Sequence, residues 1–249
     1  MIRLDGVCKA FGPRVILDGV TLDVPDGRNT VIIGRSGSGK SVTLRCIIGL
    51  LEPDAGRVLV DDEAVSELDR DGLTALRSRI GYVFQFAALF DSMTVAGNIA
   101  LGLKRRGFAA DEIAERVRES LRLVDLAGAE DKYPAELSGG MRKRAGIARA
   151  VALRPRYILY DEPTTGLDPM TTSVMDELMI RTRDLGVTGV IVTHDMKSAY
   201  ATGDRIAMLH DGHIRQVGTP DEIRASTDPV VRQFIEGRPD HALAPVGGD

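Results

Sequence analysis

The sequence has little of what would staple, anchor or export a chain. Only two cysteines occur, Cys8 and Cys46; they are too few and too scattered for a disulfide framework or a zinc site, and they fit a reducing compartment. No apolar run approaches the roughly 18 residues of a membrane span. The opening stretch MIRLDGVCKAFGP has no long apolar run after a basic head, so it does not read as a signal peptide. Basic charge is not in excess: 32 Lys and Arg stand against 36 Asp and Glu, a formal net charge of −4. That balance argues against general nucleic-acid binding through a basic surface. No internal repeat is visible. These absences predict a soluble, cytoplasmic chain and leave docking onto a membrane protein open.

What is present is a large apolar fraction with a clear rhythm. Hydrophobic residues are 43% of 249 positions, enough for a substantial core in one large domain or two small ones. Residues 1–30 alternate polar and apolar, with turn signals at Asp5-Gly6, Asp18-Gly19 and Asp26-Gly27, which predicts short antiparallel strands. TVIIG, ending at Gly34, reads as a buried strand, and SVTLRCIIGLL as a helix behind it. RVLVDDEAV and IGYVFQ read as two more strands. Residues 91–136 turn helical, and Ile113, Val117, Leu121 and Val124 share one helix face. The charges there form a solvated opposite face. RYILYDEP and GVIVTHD are apolar strands with polar ends, separated by the helical TTSVMDELMIRTRDL. This alternation predicts an α/β fold with a mostly parallel core sheet and ligand chemistry at the carboxyl ends of its strands. DRIAMLHDGHIRQVG reads as a hairpin turning at Asp211-Gly212. Beyond about Gly237 the composition predicts weak order.

GRSGSGKS fits G-x-x-x-x-G-K-[ST] and sits between a buried strand and a helix, the context that pattern requires. Gly34, Arg35, Ser36, Gly37, Ser38 and Gly39 would wrap backbone N–H groups around a phosphate. Lys40 would reach the β and γ phosphates, the Ser41 hydroxyl would ligate Mg²⁺, and Val42 adjoins the run. Asp161 and Glu162 close the strand YILYDEP. In isolation they would be a solvated strand end. Behind a phosphate loop, Asp161 can support Mg²⁺ and Glu162 can polarise an attacking water. Side-chain alternation along the strand would divide the two tasks. His194 ends GVIVTHD and is either structural or a group that fixes the water at the γ phosphate; the four histidines show no metal-ligand spacing. Gln85 ends GYVFQ and offers an amide to Mg²⁺ or the water. In ELSGGMRKRAGIARAVAL, Ser138, Gly139 and Gly140 precede a strongly helical run that carries Arg142, Lys143 and Arg144. Either this is an ordinary capped helix, or its free N–H groups and positive dipole end seat an anion.

Together these residues resemble the ATP-binding-cassette (ABC) ATPases, from Ile2 to about Gly237 and in that family's order. The elements are the phosphate loop at 34–41, a glutamine loop at Gln85, a signature at 137–141, a second nucleotide motif at 157–162, a D-loop GLD at 166–168 and a switch histidine at His194. The resemblance implies a P-loop ATPase domain over residues 1–237, with an N-terminal antiparallel β subdomain and a helical signature insertion at about 91–150. It implies ATP and Mg²⁺ as cofactors, with Ser41, Gln85 and Asp161 at the metal and Glu162, His194 and Gln85 catalytic. It further implies a homodimer that sandwiches two ATP molecules, Ser138, Gly139, Gly140 and Asp168 acting across the interface. Phe11 occupies the position of an aromatic that stacks on adenine, where tyrosine is commoner.

Met141 departs from the family pattern, which usually has Gln there. LSGGM before a basic helix is similar to the branch that powers phospholipid and sterol transport in bacteria with an outer envelope, the maintenance-of-lipid-asymmetry type. FQFAALFDSMTVAGNIA and DPVVRQFIEG are also similar to that branch. The branch implies a peripheral subunit on the cytoplasmic side of the inner membrane, bound to two permease subunits. A small STAS-domain subunit and a lipid-carrier protein would accompany it, and no nucleic acid. It also implies that residues 230–246, with the tail 238–249, reach a neighbouring ATPase subunit. Phe86, Ala87, Ala88, Leu89 and Phe90 are either core packing or a groove for a short cytoplasmic helix of the permease. Three rival readings remain: an amino-acid importer with the same engine, a soluble cassette working on DNA or ribosomes, and a kinase. The chain lacks the coiled-coil insertion, zinc module and second cassette expected of the second. The signature and D-loop would have no task in the third.

Overall fold

The computed structural model describes residues 1–238. Alternation near the amino terminus produces two long strands, β1 (Ile2–Phe11) and β2 (Arg14–Val24), paired antiparallel from Ile2↔Val24 to Phe11↔Arg14. The turn between them is Gly12-Pro13. Asp5-Gly6 and Asp18-Gly19, expected as turns, lie inside the strands where the pairing register shifts. Each inserts one extra residue, which bends a strand without ending it. Only Asp26-Gly27 of the three turns the chain.

The chain continues through β3 (Asn29–Ile33), α1 (Lys40–Ile47), β4 (Ala55–Val60), β5 (Glu63–Ala64), α2 (Arg70–Ser78) and β6 (Ile80–Val83). RVLVDDEAV, expected as one strand, is split into β4 and β5 because Asp61 and Asp62 both adopt positive φ, 53° and 65°. Two such residues in succession make a tight hairpin turn, and Asp tolerates that conformation through its short polar side chain. Three helices follow, α3 (Val95–Arg105), α4 (Ala110–Leu123) and α5 (Gly139–Val151). The alternating half comprises β7 (Tyr157–Asp161), α6 (Pro169–Asp184), β8 (Thr188–Thr193), α7 (Met196–Thr202), β9 (Arg205–His210), β10 (His213–Gly218), α8 (Pro220–Arg224) and α9 (Pro229–Ile235).

The strands form two sheets. One is antiparallel, in the order β2-β1-β4-β5; the other has the order β10-β9-β3-β8-β7-β6 and is parallel except where β10 pairs with β9. Every residue of β3, β7 and β8 is buried, as expected of parallel strands covered on both faces. Alternation assigns the faces. Ile32, Leu159 and Val190 pack with the four-stranded sheet and α1. Val31, Ile33, Ile158, Tyr160 and Ile191 pack on the other side with the helices. Val117, Leu121 and Val124 are buried on the predicted face of α4 and its end, and Ile113 packs against the same core. The expectation of weak order for the tail falls on residues 239–249, outside the described residues, as does most of the expected subunit contact.

One buried carboxyl stands out in this helical layer. Asp176 of α6 is 6% exposed, and its Oδ1 has no hydrogen-bond partner. Burial first, and then the charge of Asp195, push its pKa from an ordinary 3.8 up to about 6, against the Ser198 hydroxyl and the Lys197 charge. The folded chain therefore holds this proton more tightly than the unfolded chain. Its contribution to stability is complete below about pH 3.8 and is lost as pH rises through about 6. Asp176→Asn should stabilise the protein by about 1–3 kcal/mol at pH 7.5, with the gain vanishing towards pH 4. Urea unfolding of both chains at the two pH values checks this.

Candidate functional site

Strands β3, β8, β7 and β6 lie side by side and parallel, so their carboxyl ends open on one edge. That edge collects Gly34, Gln85, Asp161, Glu162 and His194. Between β3 and α1 the loop closes on Gly39, which precedes the helix with φ 106°. A Cβ there would lie 2.8 Å from Leu17 Cδ2 and 3.0 Å from the Ile16 carbonyl oxygen, so β2 admits only glycine at this position. The start of α1 then points its N–H groups and positive dipole end into the loop.

Lys40 is 5% exposed. Its Nζ donates to the carbonyls of Gly34 (2.9 Å) and Arg35 (3.1 Å) and stands 3.3 Å from Glu162 Oε1. The Ser41 hydroxyl donates to Asp161 Oδ1 at 2.6 Å, and Tyr82 donates to Asp161 Oδ2 at 2.9 Å. Burial, then the neighbouring Asp161 charge, raise the Tyr82 pKa, so its phenol stays a donor. The backbone of Ser38 donates to the Arg35 carbonyl at 3.1 Å, and its buried Oγ has no protein partner.

Asp161 and Glu162 are separated more sharply than strand alternation would do. Asp161 ends β7, whereas Glu162 leaves the strand with φ 50°, a left-handed conformation that a non-glycine residue holds only when its surroundings enforce it. Its N–H donates to the Val192 carbonyl at 3.0 Å. Its Oε2 accepts from the Thr165 hydroxyl at 3.1 Å and stands 2.9 Å from His194 Nδ1.

A cavity of about 370 Å³ opens beside these groups, and Gly34, Arg35, Ser38 and Asp161 are not part of its lining. Its lining includes Ser36, Gly37, Gly39, Lys40, Ser41 and Val42 from the loop and α1, with Gln85, Glu162 and His194 from the strand ends. Phe11, Arg14 and Ile16 complete the lining. Phe11 is 49% exposed, and the Lys9 ammonium lies 5.8 Å from its ring centre. Sequence reasoning missed Arg14, Ile16, Tyr82 and Thr165. Arg14 pairs with Phe11 across the hairpin, so recognising the Gly12-Pro13 turn would have found it. No pattern marks Tyr82 or Thr165, whose roles arise from contacts distant in sequence or from the turn at Glu162. The donor set fits a triphosphate. A buried ammonium, a helix start and an orphaned hydroxyl at Ser38 await an anion, while Ser41 with Asp161 offers hard oxygens suited to Mg²⁺.

Ser138, Gly139, Gly140 and Asp168 do not border that cavity. Ser138 caps α5 by accepting from the Met141 N–H at 3.2 Å, and Ser138 and Gly139 are exposed. Gly140 serves packing: a Cβ there would meet Thr171 Cγ2 at 2.4 Å. Thr171 is fixed in turn, because its hydroxyl donates to Asp168 Oδ2 at 2.6 Å and its N–H to Oδ1 at 3.0 Å. These bonds, the hydroxyl first, hold the Asp168 carboxyl below the usual carboxylate range. The basic residues of α5 fasten backbone. Arg142 donates to the carbonyl of Leu137, Lys143 to those of Pro163 and Thr165, and Arg144 to those of Val124 and Asp125.

A second cavity of about 380 Å³ adjoins Gln85 and is lined by Phe86, Ala87, Ala88 and Leu89, with Gly139 and Thr165 opposite. Core packing describes Ala87, which is buried; Phe86 is 83% and Phe90 51% exposed.

A family model described as "ABC transporter" matches residues 17–165. The chain is 42% identical over 248 residues to the probable ribonucleotide transport ATP-binding protein mkl of Mycobacterium leprae (strain TN), covering 99% of this chain and 71% of that protein. It is 41% identical over 264 residues to the methionine import ATP-binding protein MetN of Rhodopseudomonas palustris (strain BisA53), again covering 99% and 71%. Among solved structures, the dimeric post-hydrolysis ATP-binding cassette MJ0796 bound to ADP and Pi matches with a TM-score of 0.80 at 35% identity, over 88% of this chain and 99% of that one. The cbiO1 protein from Clostridium perfringens, part of the ABC transporter complex cbiONQ, matches with a TM-score of 0.84 at 30% identity, over 93% of each chain.

Gly140→Ala should destabilise the chain by about 1–3 kcal/mol, the usual cost of an overpacked contact. Adding Thr171→Ser removes the clashing methyl but keeps the hydroxyl for Asp168, and should restore most of the loss. Denaturant midpoints of the two variants check this; equal midpoints would separate Gly140 from Thr171.

Proposed function

This chain belongs to the ABC transporter ATP-binding family, and from that premise we propose that it drives a phospholipid transporter as a homodimer docked on membrane permease subunits. It is an ATPase that binds ATP with Mg²⁺. In the proposed arrangement Phe11 stacks on the base, and the loop N–H groups and Lys40 hold the phosphates. Ser41, Asp161 and Gln85 would hold Mg²⁺, which would supply positive charge to offset that of the phosphates. Lys40 meets Glu162 Oε1 across 3.3 Å. A γ phosphate would compete for that ammonium and free Oε1 to accept a proton from the attacking water. Thr165 and His194 would keep the other carboxylate oxygen in place.

The dimer reading is carried by one observation. The exposed Ser138 and Gly139 lie off the chain's own nucleotide cavity, where only the nucleotide of a second copy would reach them. The cassette would span residues 1–237, with the helical segment 91–150 inserted. Among the described residues no helix is long and apolar enough to cross a membrane, so attachment to the cytoplasmic side of the inner membrane would come through the permease. The cavity beside Gln85, with exposed Phe86 and Phe90, suits a short permease helix. Lipid as cargo rests on Met141 in the signature and on this apolar segment, both similar to the lipid-transport branch. A STAS-domain subunit and a lipid-carrier protein complete that reading. Amino-acid import is the second reading, favoured by the 41% identity to a methionine importer's ATP-binding protein.

Glu162→Gln should lower steady-state hydrolysis by about 10²–10⁴-fold while Mg·ATP still binds. The same variant should form a dimer at saturating Mg·ATP, seen by light scattering. Turnover near wild type would remove Glu162 from the chemistry, and a persistent monomer with and without permease would remove the sandwich. For cargo, the assembly pulled from membranes should carry permease and phospholipid. An assembly that instead holds methionine or a ribonucleotide would overturn the lipid reading.

A further inference from the structure

Lys143 lies in the second turn of α5 and is 9% exposed. Among the described residues no carboxylate stands within ion-pair distance of it. Its Nζ spends its donors on two carbonyls, Pro163 at 2.9 Å and Thr165 at 2.6 Å. A buried ammonium with no carboxylate in direct contact is costly, so this arrangement needs a reason beyond filling space. The two carbonyls flank Thr164, in the loop that begins with the left-handed Glu162 and runs on to α6. Thr165 contributes twice: its carbonyl holds Lys143, and its hydroxyl donates to Glu162 Oε2 at 3.1 Å. That oxygen in turn stands 2.9 Å from His194 Nδ1. A continuous path of contacts therefore runs from the start of α5 to the carboxylate beside Lys40. The path is short, because Lys143 is roughly 7–8 Å along the helix axis from the Ser138 cap, and a helix moves as a rigid rod over that distance.

We propose that Lys143 is a positioning residue that ties the start of α5 to Glu162, so that what is bound at Ser138 and Gly139 is felt at the same chain's Glu162 carboxylate. The tie holds the Pro163 and Thr165 carbonyls and thereby sets where the Glu162 side chain stands. In a homodimer the consequence is a link between the two nucleotide sites that passes through one chain. The partner's nucleotide rests on α5, Lys143 carries its displacement to the loop, and Glu162 acts on this chain's own nucleotide. Burial draws the Lys143 pKa down while the Glu162 charge draws it up, as expected of two groups that sense each other's charge. The proposal rests on the assignment of Glu162 made above.

The test is a double-mutant cycle on the full chain, using Lys143→Met, Glu162→Gln and the pair, with Lys143→Arg as the conservative control. Lys143→Met should lower kcat by about 10–100-fold, the cost of displacing a reacting group by about 1 Å, with KM for ATP within about twofold. Lys143→Arg should restore most of the rate. In the Glu162→Gln background, measured by single turnover, Lys143→Met should cost no more than about twofold, because the group it positions is already disabled. That pair should still dimerise with Mg·ATP. Losses that multiply across the cycle, or a Lys143→Met chain with wild-type kcat, would overturn the link while leaving Glu162 in place. Wild-type turnover in Glu162→Gln alone would overturn the Glu162 assignment, and the link with it. Should Lys143→Met fail to fold, Thr165→Val breaks the path one contact nearer the carboxylate and replaces it in the cycle. The same losses are expected, and full turnover would overturn the proposal.

Discussion

A buried ammonium held between two loop carbonyls and a carboxylate is the contact on which the site depends. Lys40 is almost without solvent, and its charge is tolerable there only because Gly34, Arg35 and Glu162 surround it. Those partners come from the ends of β3 and β7, which are not neighbours; β8 lies between them. The ion pair therefore closes the edge of the sheet across one strand and fixes the distance between the phosphate loop and the Glu162 carboxylate. It also leaves the loop poised. The cation is bound by weak neutral acceptors and one carboxylate, so a triphosphate of higher charge can displace the carboxylate without unfolding the loop.

Much of this was legible in the sequence because short-range rules govern it. A buried strand followed by glycines and a helix start leaves few options for residues 30–47, and β3, the loop and α1 fall where that pattern places them. Continuous apolar runs located the buried parallel strands, and a period-3.6 pattern located α4. Motif spacing brought Phe11, Lys40, Ser41, Gln85, Glu162 and His194 to one cavity: Gln85, Glu162 and His194 follow strands that the parallel sheet aligns, Lys40 and Ser41 open the helix after β3, and Phe11 ends β1 of the other sheet. What could not be read was decided by local backbone excursions. Asp-Gly pairs at residues 5–6 and 18–19 became bulges because the strands paired on both sides of them, and pairing partners are not visible in a single stretch. Asp61 and Asp62 turned a strand into a hairpin. Glu162 left its strand in a left-handed turn, so the two carboxylates are parted by that turn and not by the strand alternation the sequence suggested.

The basic residues after the signature show the same limit in another form. In sequence, Arg142, Lys143 and Arg144 look like charge offered to an anion. In the fold all three are engaged with carbonyls at loop ends, because a helix packed beside irregular backbone meets unsatisfied acceptors that must be paired. Gly140 likewise looks like an opening for a ligand, yet the group that needs the space is Thr171 of the same chain.

These internal contacts change what the edge offers to a second copy. Gly140 against Thr171, Thr171 on Asp168, and Lys143 on the loop before α6 join the starts of α5 and α6 into one stiff unit. That unit presents Ser138, Gly139 and Asp168 together with Met170, which is 82% exposed. If a second copy docks as proposed, a stiff edge loses little conformational freedom, so more of the contact energy would remain for holding its nucleotide. In the proposed homodimer a surface that could deform would absorb the arrival of a γ phosphate locally, whereas one braced to Thr165 would pass the displacement to Glu162. Cargo enters none of these contacts, which is why ATP-binding proteins named for ribonucleotides and for methionine resemble this chain to the same degree. In the proposed assembly, what separates one transporter from another would lie where the chain meets the permease; there the exposed Phe86 lines the second cavity, which shares Gln85 with the nucleotide cavity.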